Sequence, residues 1–304
     1  MSTLYRKYRP QKWGDVAGQE HIKTILMYEV KTGTIAHAYL FSGSRGIGKT
    51  TTARILAKAI NCHLVRAGWK DSAVLRTDPC GVCPACLKIT EGKTLDVIEI
   101  DAASHRGIDV VRQDIIEQSR FAPSQLAYKV FIIDEVHMLT TEAFNALLKT
   151  LEEPPAHAIF ILATTELHKV PETVISRCQR FDFKKISFAI IVERLKKMAI
   201  DEGCEVDLQV LQDIARHADG GLRDAEGLLG KVLAIADDGK VGYVQASVVL
   251  PQTNVVAVGD CVAQIVAYDA PGALLTVHEC VENGVAMPEF VQEAVELVRK
   301  ILLV

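Results

Sequence analysis

The sequence lacks three features that would place it in a specialised class of protein. Its formal net charge is −4, so any contact with nucleic acid must come from a local basic patch. It has no apolar stretch of the ~18–20 residues that a membrane-spanning helix needs, and no apolar core follows its basic N-terminal segment. It also has no internal repeats and no low-complexity tail. We therefore expect a cytoplasmic protein that makes no contact with a membrane.

What remains is the composition of an ordinary globular protein. The 304 residues are 49% hydrophobic and 24% charged, which suggests two or three domains with ample cores. In the first part of the chain, helical patterns alternate with apolar runs that are typical of buried strands. These runs lie at residues 38–41, 96–100, 130–133, 158–163 and 179–183. The alternation predicts an α/β domain with a parallel five-stranded sheet.

The strand signal fades after Lys185. Residues 187–202, 207–217 and 222–236 predict three amphipathic helices of a second, all-helical domain. A further stretch over residues 255–304 also reads as helices, with breaks expected at Pro271-Gly272 and at Met287-Pro288.

A glycine-rich loop of the form G-x-x-x-x-G-K-T follows the first predicted strand. Its residues are Gly43, Ser44, Arg45, Gly46, Ile47, Gly48, Lys49 and Thr50, and a helical run begins at Thr51. The glycines let backbone N–H groups turn toward phosphate groups, and the helix points its positive end at the same charge. Lys49 can reach the β- and γ-phosphates, and the Thr50 hydroxyl can hold Mg²⁺. The loop therefore predicts a nucleoside triphosphate site.

Two carboxylates, Asp134 and Glu135, stand where another buried strand is expected to end. Ligands of open α/β sheets bind at the carboxyl ends of the strands. We therefore expect Asp134 to hold Mg²⁺, directly or through water, and Glu135 to polarise an attacking water molecule. Combined with the glycine-rich loop, the pair predicts nucleotide hydrolysis.

Four of the eight cysteines are clustered in the sequence: Cys62, Cys80, Cys83 and Cys86. The spacing C-x2-C-x2-C supplies three soft ligands, and Cys62 can complete a four-cysteine structural zinc site. An iron–sulfur cluster and unmetallated thiols are alternatives. Ferredoxin motifs place the fourth cysteine downstream, whereas the next cysteine here is Cys178. A cytosolic setting argues against disulfide bonds.

Several further sequence segments accompany these motifs. They are RKYRP at residues 6–10, V-x-GQE at 16–20, the cysteine module, DAAS at 101–104, DEVHML at 134–139, NALLKTLEEPP at 145–155, ATT at 163–165 and SRC at 176–178. Together they resemble the AAA+ ATPase family and, more narrowly, the gamma/tau type of clamp-loader ATPase in bacterial DNA polymerase III. The resemblance is strong up to about residue 242 and weaker beyond. It implies a P-loop AAA+ domain over residues 1–184 with a zinc-binding insertion at 62–86, a helical lid domain over 185–242, and a partial helical collar or oligomerisation domain over 243–304.

The resemblance also implies roles for single residues. Thr165 would contact the γ-phosphate or the attacking water, Arg177 would act on the ATP of a neighbouring subunit, and Arg223 would reach the ATP of its own subunit from the lid domain. The nucleotide-binding set would comprise the glycine-rich loop with Thr51, and the residues Tyr8, Arg9, Pro10 and Val16. Lys149 and Arg106 match positions that face DNA, where contacts to phosphates would not depend on base sequence.

The function implied is that of an ATP-hydrolysing motor subunit that loads a ring-shaped sliding clamp onto primed DNA, with ATP, Mg²⁺ and Zn²⁺ as cofactors. Its partners would be the other subunits of a hetero-oligomeric loader, expected to be a pentamer, together with the sliding clamp and primer–template DNA. Two alternatives stay open: another AAA+ ATPase that remodels DNA, and a scaffold subunit that binds ATP without hydrolysing it. The cysteine module argues against the first, and intact Lys49, Glu135 and Arg177 argue against the second.

Overall fold

A parallel five-stranded sheet forms the centre of the first part of the chain. The computed structural model describes residues 3–70, 76–237, 239–250, 255–282, 284–285 and 287–302. The strands are β1 (Ala38–Ser42), β2 (Val97–Asp101), β3 (Lys129–Asp134), β4 (Ala158–Thr164) and β5 (Gln179–Asp182). Their order across the sheet is β2-β3-β4-β1-β5. The predicted α/β class and parallel sheet are confirmed, and no strand end differs from the predicted one by more than one residue.

Helices connect the strands and cover the sheet. They are α1 (Leu4–Lys7), α2 (Glu20–Thr32), α3 (Lys49–Asn61), α4 (His63–Lys70), α5 (Pro84–Glu91), α6 (Ile108–Val110), α7 (Gln118–Arg120), α8 (Thr141–Glu152) and α9 (Glu172–Ile175). A π-helical stretch, Val111–Glu117, joins α6 to α7. Short 3₁₀ turns lie at Trp13–Asp15, Val136–Met138 and Leu167–Lys169.

Both faces of the sheet are buried. Successive strand residues point to opposite faces, so Tyr39 and Phe41 of β1 pack in one cluster with α2 and α3. Leu40 lies in the cluster on the other face with Phe131 and with α8. Burial on both sides explains why these strands read as continuous apolar runs in the sequence.

Helix α3 is held at its carboxyl end by the start of β3. Its last residue, Asn61, is buried and directly precedes Cys62. The Asn61 side-chain oxygen accepts hydrogen bonds from the backbone N–H groups of Ala127 and Tyr128, over 3.0 and 2.9 Å. Because Tyr128 directly precedes β3, these bonds fix the end of α3 to the edge of the sheet where β3 begins.

A mainly helical unit follows the sheet. It contains α10 (Phe188–Asp201), α11 (Leu208–His217), α12 (Leu222–Leu233) and α13 (Tyr243–Ala246). Two strands of two residues each, β6 (Glu205–Val206) and β7 (Lys240–Val241), pair in parallel. The unit was predicted to be all-helical, and this small sheet is the exception. Strands this short carry too few residues to show an alternating pattern. The core of the unit also includes Ala246 and Leu250, which lie beyond the predicted boundary at residue 242.

Three helices complete the described chain: α14 (Val255–Val266), α15 (Ala270–Glu282) and α16 (Met287–Leu302). The first expected break is found just before Pro271-Gly272, because α14 ends at Val266 and α15 begins at Ala270, so that both residues lie in the first turn of α15. Proline is tolerated there since the first N–H groups of a helix have no partner within it. The second break is found, with α16 beginning at Met287. Residues 303–304 of the predicted stretch lie outside the described residues. Among the described residues, no helix has the length and apolar character needed to cross a membrane.

Candidate functional site

The glycine-rich loop has the predicted strand–loop–helix form. It follows β1 and leads into α3, which begins at Lys49. At Gly43 the backbone has φ +140°, and a Cβ atom there would lie 2.6 Å from the carbonyl oxygen of Phe183, so only glycine fits. Lys49 Nζ donates to the carbonyl oxygens of Gly43 and Ser44 over 2.8 and 2.7 Å. Burial lowers the pKa of Lys49, and Glu135 and Asp134 oppose that shift.

The loop is joined directly to the end of β3. The Thr50 hydroxyl donates to Asp134 Oδ2 over 2.6 Å, so the two residues expected to hold Mg²⁺ lie side by side. The next residue, Glu135, has a left-handed backbone with φ 49°, which is uncommon for a residue with a side chain. Its N–H donates to Asp134 Oδ1 over 3.0 Å. The turn therefore places two carboxylates at the same edge of the sheet as the loop.

Side chains at the end of β4 contact Glu135. The Thr165 hydroxyl donates to Glu135 Oε2 over 2.9 Å. His137, whose side chain is buried, lies with Nδ1 3.0 Å from Thr164 Oγ1 and 3.4 Å from Glu135 Oε2. Its Nε2 is 3.3 Å from Glu166 Oε1. No role was predicted for His137 from the sequence, although its position two residues after Glu135 was a usable signal.

A cleft of about 310 Å³ opens above the loop. Predicted residues that line it are Arg9, Pro10, Arg45, Gly46, Gly48, Lys49, Thr50, Thr51, Asp134, Glu135 and Arg223. Three lining residues were not predicted: Tyr5, Glu99 and Glu226. The cleft thus combines the loop, the end of β3, the N-terminal segment and helix α12.

Six residues predicted to contact nucleotide are not among those that line the cleft: Gly43, Ser44, Ile47, Thr165, Tyr8 and Val16. Tyr8 packs against the core of the helical unit, and Val16 is buried in the core between the sheet and α2. Apolar packing takes both side chains away from the cleft.

Helix α12 brings Arg223 to the loop. The Arg223 guanidinium lies 4.7 Å from the centre of the Tyr5 ring. Its backbone N–H donates to the carbonyl oxygen of Gly46 over 3.4 Å. Gly46 has φ +76°, and a Cβ atom there would lie 3.3 Å from the Cβ of Arg223. The helical unit and the glycine-rich loop therefore touch through their backbones.

The remaining predicted residues lie elsewhere on the surface. Arg177 is ion-paired with Glu152 and donates to the carbonyl oxygen of Thr173 over 2.6 Å, outside the lining of its own cleft. Lys149 is exposed on α8. Arg106 is exposed, and its Nε donates to the carbonyl oxygen of Ala103 over 2.9 Å.

The four predicted cysteines form one cluster. The sulfur atoms of Cys62, Cys80, Cys83 and Cys86 all lie within 4.8 Å of one another. A tetrahedral zinc with Zn–S bonds of about 2.3 Å needs sulfur separations of about 3.8 Å, so the cluster fits this metal after small adjustments. Residues 71–75, within the predicted insertion, lie outside the described residues.

Donors around the cluster favour thiolate sulfur. The hydrogen bond from the Cys86 thiol lowers the pKa of Cys62, and the backbone N–H of Cys80, 3.4 Å from Cys62 Sγ, acts in the same direction. The N–H of Cys83 lies 3.3 Å from Cys80 Sγ. Because thiolates are the form that binds metal, these donors support a metal site.

Comparison with known proteins finds relatives among the subunits of DNA polymerase III. A family model described as "DNA polymerase III, delta subunit" matches residues 18–187. DNA polymerase III subunit tau of Bacillus subtilis is 45% identical over 301 residues, which are 99% of this chain and 52% of that protein. The Escherichia coli subunit tau is 40% identical over 302 residues, 99% of this chain and 45% of that protein. The chain thus spans about half the length of these curated relatives.

Among solved structures, the RuvB Holliday junction branch migration motor from Thermotoga maritima superposes with a TM-score of 0.59. The superposition covers 86% of this chain and 80% of RuvB, at 16% sequence identity. Identity this low shows a shared fold alone.

Proposed function

This chain belongs to the clamp-loader subunit family of DNA polymerase III, of the gamma/tau type, and on that premise we propose that it binds and hydrolyses ATP as the motor subunit of a sliding-clamp loader. The observation that carries the proposal is the hydrogen bond between Thr50 of the glycine-rich loop and Asp134, the residue before Glu135. It joins a phosphate-binding loop to a carboxylate pair in one cleft.

The loop end of the cleft would take the triphosphate. Backbone N–H groups of the loop and the first turn of α3 point positive charge at this position, and Lys49 adds a full charge. Thr50 and Asp134 would hold Mg²⁺, since hydroxyl and carboxylate oxygens are the ligands it prefers. The metal would neutralise charge on the β- and γ-phosphates.

Glu135 would polarise the attacking water. Its carboxylate accepts a hydrogen bond from Thr165 and lies beside His137, so its orientation is set by the end of β4. Phosphoryl transfer depends mainly on positioning and on stabilisation of charge, which suits a carboxylate held by its neighbours. In an assembled ring, Arg177 of one subunit would reach the nucleotide of the next.

Arg223 would couple the nucleotide to the position of the helical unit. It lies in the cleft but belongs to α12, and its backbone contacts Gly46. A bound triphosphate would draw Arg223 toward the loop, and the helical unit would move with it. In this way the nucleotide state would control the arrangement of subunits around the clamp.

The other proposed partners follow from the family. Lys149 and Arg106 would contact DNA phosphates, independently of base sequence. The remaining loader subunits and the sliding clamp would be bound by other surfaces, and the chain would work in the bacterial cytoplasm. The AAA+ unit would comprise residues 1–184, the lid would begin at residue 185 and extend beyond 242 to include Ala246 and Leu250, and a helical collar would follow. The four-cysteine cluster would hold one structural Zn²⁺.

Two substitutions test the proposal. Lys49→Ala should abolish ATP binding measured by calorimetry, because it removes the buried charge in the loop. Glu135→Gln should retain ATP affinity and lower the rate of hydrolysis by roughly 10²–10⁴-fold, the usual contribution of a general base. Lys31→Ala and Glu193→Gln, at exposed positions, are the matched controls.

The assay uses the chain assembled with its cognate loader subunits, the clamp and primed DNA. Loss of clamp loading in both variants, with ATP binding lost in only one, would support the proposal. Equal nucleotide affinity in the two variants would show that the residue roles are wrong. An assembly that loads clamps while the unsubstituted chain hydrolyses no ATP would favour the scaffold alternative. Movement of a branched DNA junction without clamp binding would favour a different AAA+ machine.

A further inference from the structure

Glu226 is a buried carboxyl group that the reaction outlined above does not use. It lies on α12, one turn after Arg223, and only 6% of the residue is exposed, yet it lines the cleft. Within the described chain its carboxyl has no hydrogen-bond or ion-pair partner. Its oxygen atoms nevertheless keep some accessible surface. The carboxyl therefore opens into the cleft with its hydrogen-bonding capacity free.

The surroundings of Glu226 make its burial unfavourable for the stability of the fold. Other buried residues of α12 are Leu222, Ala225 and Leu229, which are apolar. Arg194 is the opposing charge that lowers the pKa of Glu226, and Arg194 Nη2 donates to the carbonyl oxygen of Tyr8 over 2.8 Å. An unpaired carboxylate in such a place destabilises a fold, so a group kept there indicates a functional use.

The position of Glu226 in the cleft points to that use. The glycine-rich loop, Asp134 and Glu135 occupy the end of the cleft that suits phosphates. Tyr5, Arg9 and Pro10 of the N-terminal segment also line the cleft, and α12 runs from the loop, where Arg223 meets Gly46, to that segment, where Gly230 lies beside Leu4. Glu226 lies between these two contacts of α12, so a nucleotide with its phosphates on the loop and its base toward the N-terminal segment would pass its base near Glu226.

We propose that Glu226 is a specificity-determining residue that recognises the nucleotide base through the hydrogen-bonding edge of the purine. The inference deepens the proposed ATP-binding function and rests on it. A protonated carboxyl offers one donor and one acceptor, which match the N1 acceptor and the 6-amino donor of adenine. An ionised carboxylate only accepts, which matches the N1–H and 2-amino donors of guanine. The protonation state would therefore set which purine is preferred.

Both protonation states are accessible near neutral pH. Burial raises the pKa of Glu226 to about 7, and Arg194 acts in the opposite direction. Arg194 on α10 is the charged group that acts on the pKa of Glu226. The other titratable or charged groups that line the same cleft are Tyr5, Arg9, Arg45, Lys49, Glu99, Asp134, Glu135 and Arg223, which include both signs of charge.

The test compares the affinities of the full chain for ATP and for GTP, by calorimetry with Mg²⁺ at pH 6 and at pH 8. The two nucleotides share one triphosphate, so the ratio of their dissociation constants isolates the base. At pH 6 we expect the unsubstituted chain to bind ATP about tenfold or more tightly than GTP. A good two-bond contact to a base edge gives discrimination of about this size. The preference should shrink or reverse at pH 8, where the carboxyl is ionised.

Two variants make the test specific. Glu226→Gln keeps one donor and one acceptor at every pH, so it should prefer ATP equally at pH 6 and pH 8. In Glu226→Leu the ratio of the GTP to the ATP dissociation constant at pH 6 should fall by about tenfold, while the variant still binds the triphosphate. Glu193→Gln, exposed on α10, is the control and should behave as the unsubstituted chain does.

A Glu226→Leu variant with an unchanged ATP-to-GTP ratio would overturn the proposal. So would an unsubstituted chain whose ratio is the same at both pH values. Inorganic tripolyphosphate, titrated in parallel, separates this failure from that of the underlying function. A chain that binds neither nucleotide nor tripolyphosphate contradicts nucleotide binding itself, whereas tripolyphosphate binding with no base preference contradicts only the role of Glu226.

Discussion

The hydroxyl of Thr165 donates to Glu135 Oε2 over 2.9 Å, and this bond joins the ends of two neighbouring strands. Glu135 follows β3 and Thr165 follows β4, which pair in parallel along their length. A carboxylate on a left-handed turn is thereby held by a side chain from the adjacent strand. The bond orients the residue to which we assign activation of water.

Thr165→Val should lower the rate of ATP hydrolysis by roughly 10- to 100-fold, because it removes a hydrogen bond to a charged group and leaves the shape nearly unchanged. ATP affinity should change little. Phosphate release and calorimetric binding measure the two effects, and Thr24→Val, exposed on α2, is the control. An unchanged rate would show that Glu135 needs no such support.

Arg177→Ala should leave ATP affinity of the isolated chain nearly unchanged, since Arg177 lies outside its own cleft. In the assembled loader it should reduce DNA-stimulated hydrolysis by at least about tenfold; arginine fingers supplied by a partner contribute roughly 10³–10⁵ in GTPases. Arg180→Ala, exposed on β5, is the control. Mixing Arg177→Ala chains with Lys49→Ala chains should restore some activity. Mixed assemblies that form without recovery would show that Arg177 does not act on a neighbour.

The cysteine cluster should bind about one Zn²⁺ per chain, measured by elemental analysis. Cys83→Ser should reduce that content and increase hydrogen exchange in residues 62–70 and 76–90, because a ligand is lost. ATP affinity should persist, since the buried sheet supports the cleft independently. Cys204→Ser, outside the cluster, is the control. Purified protein that contains iron instead of zinc would show that the zinc assignment is wrong.

Glu226 should make the stability of the fold depend on pH. Burial raises its pKa from 4.5 to about 7, so between these values the folded chain holds a proton that the unfolded chain has released. The contribution of this group to the free energy of unfolding therefore falls as the pH rises through that window, by at most about 3 kcal/mol. Glu226→Gln should raise the melting temperature at pH 8 and leave it nearly unchanged at pH 4.5. An equal shift at both pH values would contradict this, and Glu193→Gln is the control.

Much of the site could be predicted because its residues belong to short, continuous sequence motifs. The loop and the Asp134-Glu135 pair each follow a strand whose apolar run is evident, and parallel strands bring such ends to one edge. The cysteine spacing was equally local, and its four sulfurs are indeed together.

Residues brought in by packing could not be predicted in the same way. Glu226 is a single glutamate within a helical pattern, and nothing near it in the sequence shows that α12 turns it toward the loop. Tyr5 reaches the cleft because the N-terminal segment packs on the helical unit, with Leu4 in contact with Gly230.

Helix α3 connects the carboxyl-terminal end of the sheet, where the glycine-rich loop lies, to the opposite end, where β3 begins. It has 13 residues and so is about 20 Å long, and it is anchored by the glycine-rich loop at one end and by the Asn61–Tyr128 bonds at the other. The glycine-rich loop and Cys62, at the two ends of α3, are therefore both held to the sheet by one helix. The chain passes from the sheet to the helical unit at residues 183–187, and Gly220 packs against Lys185 there.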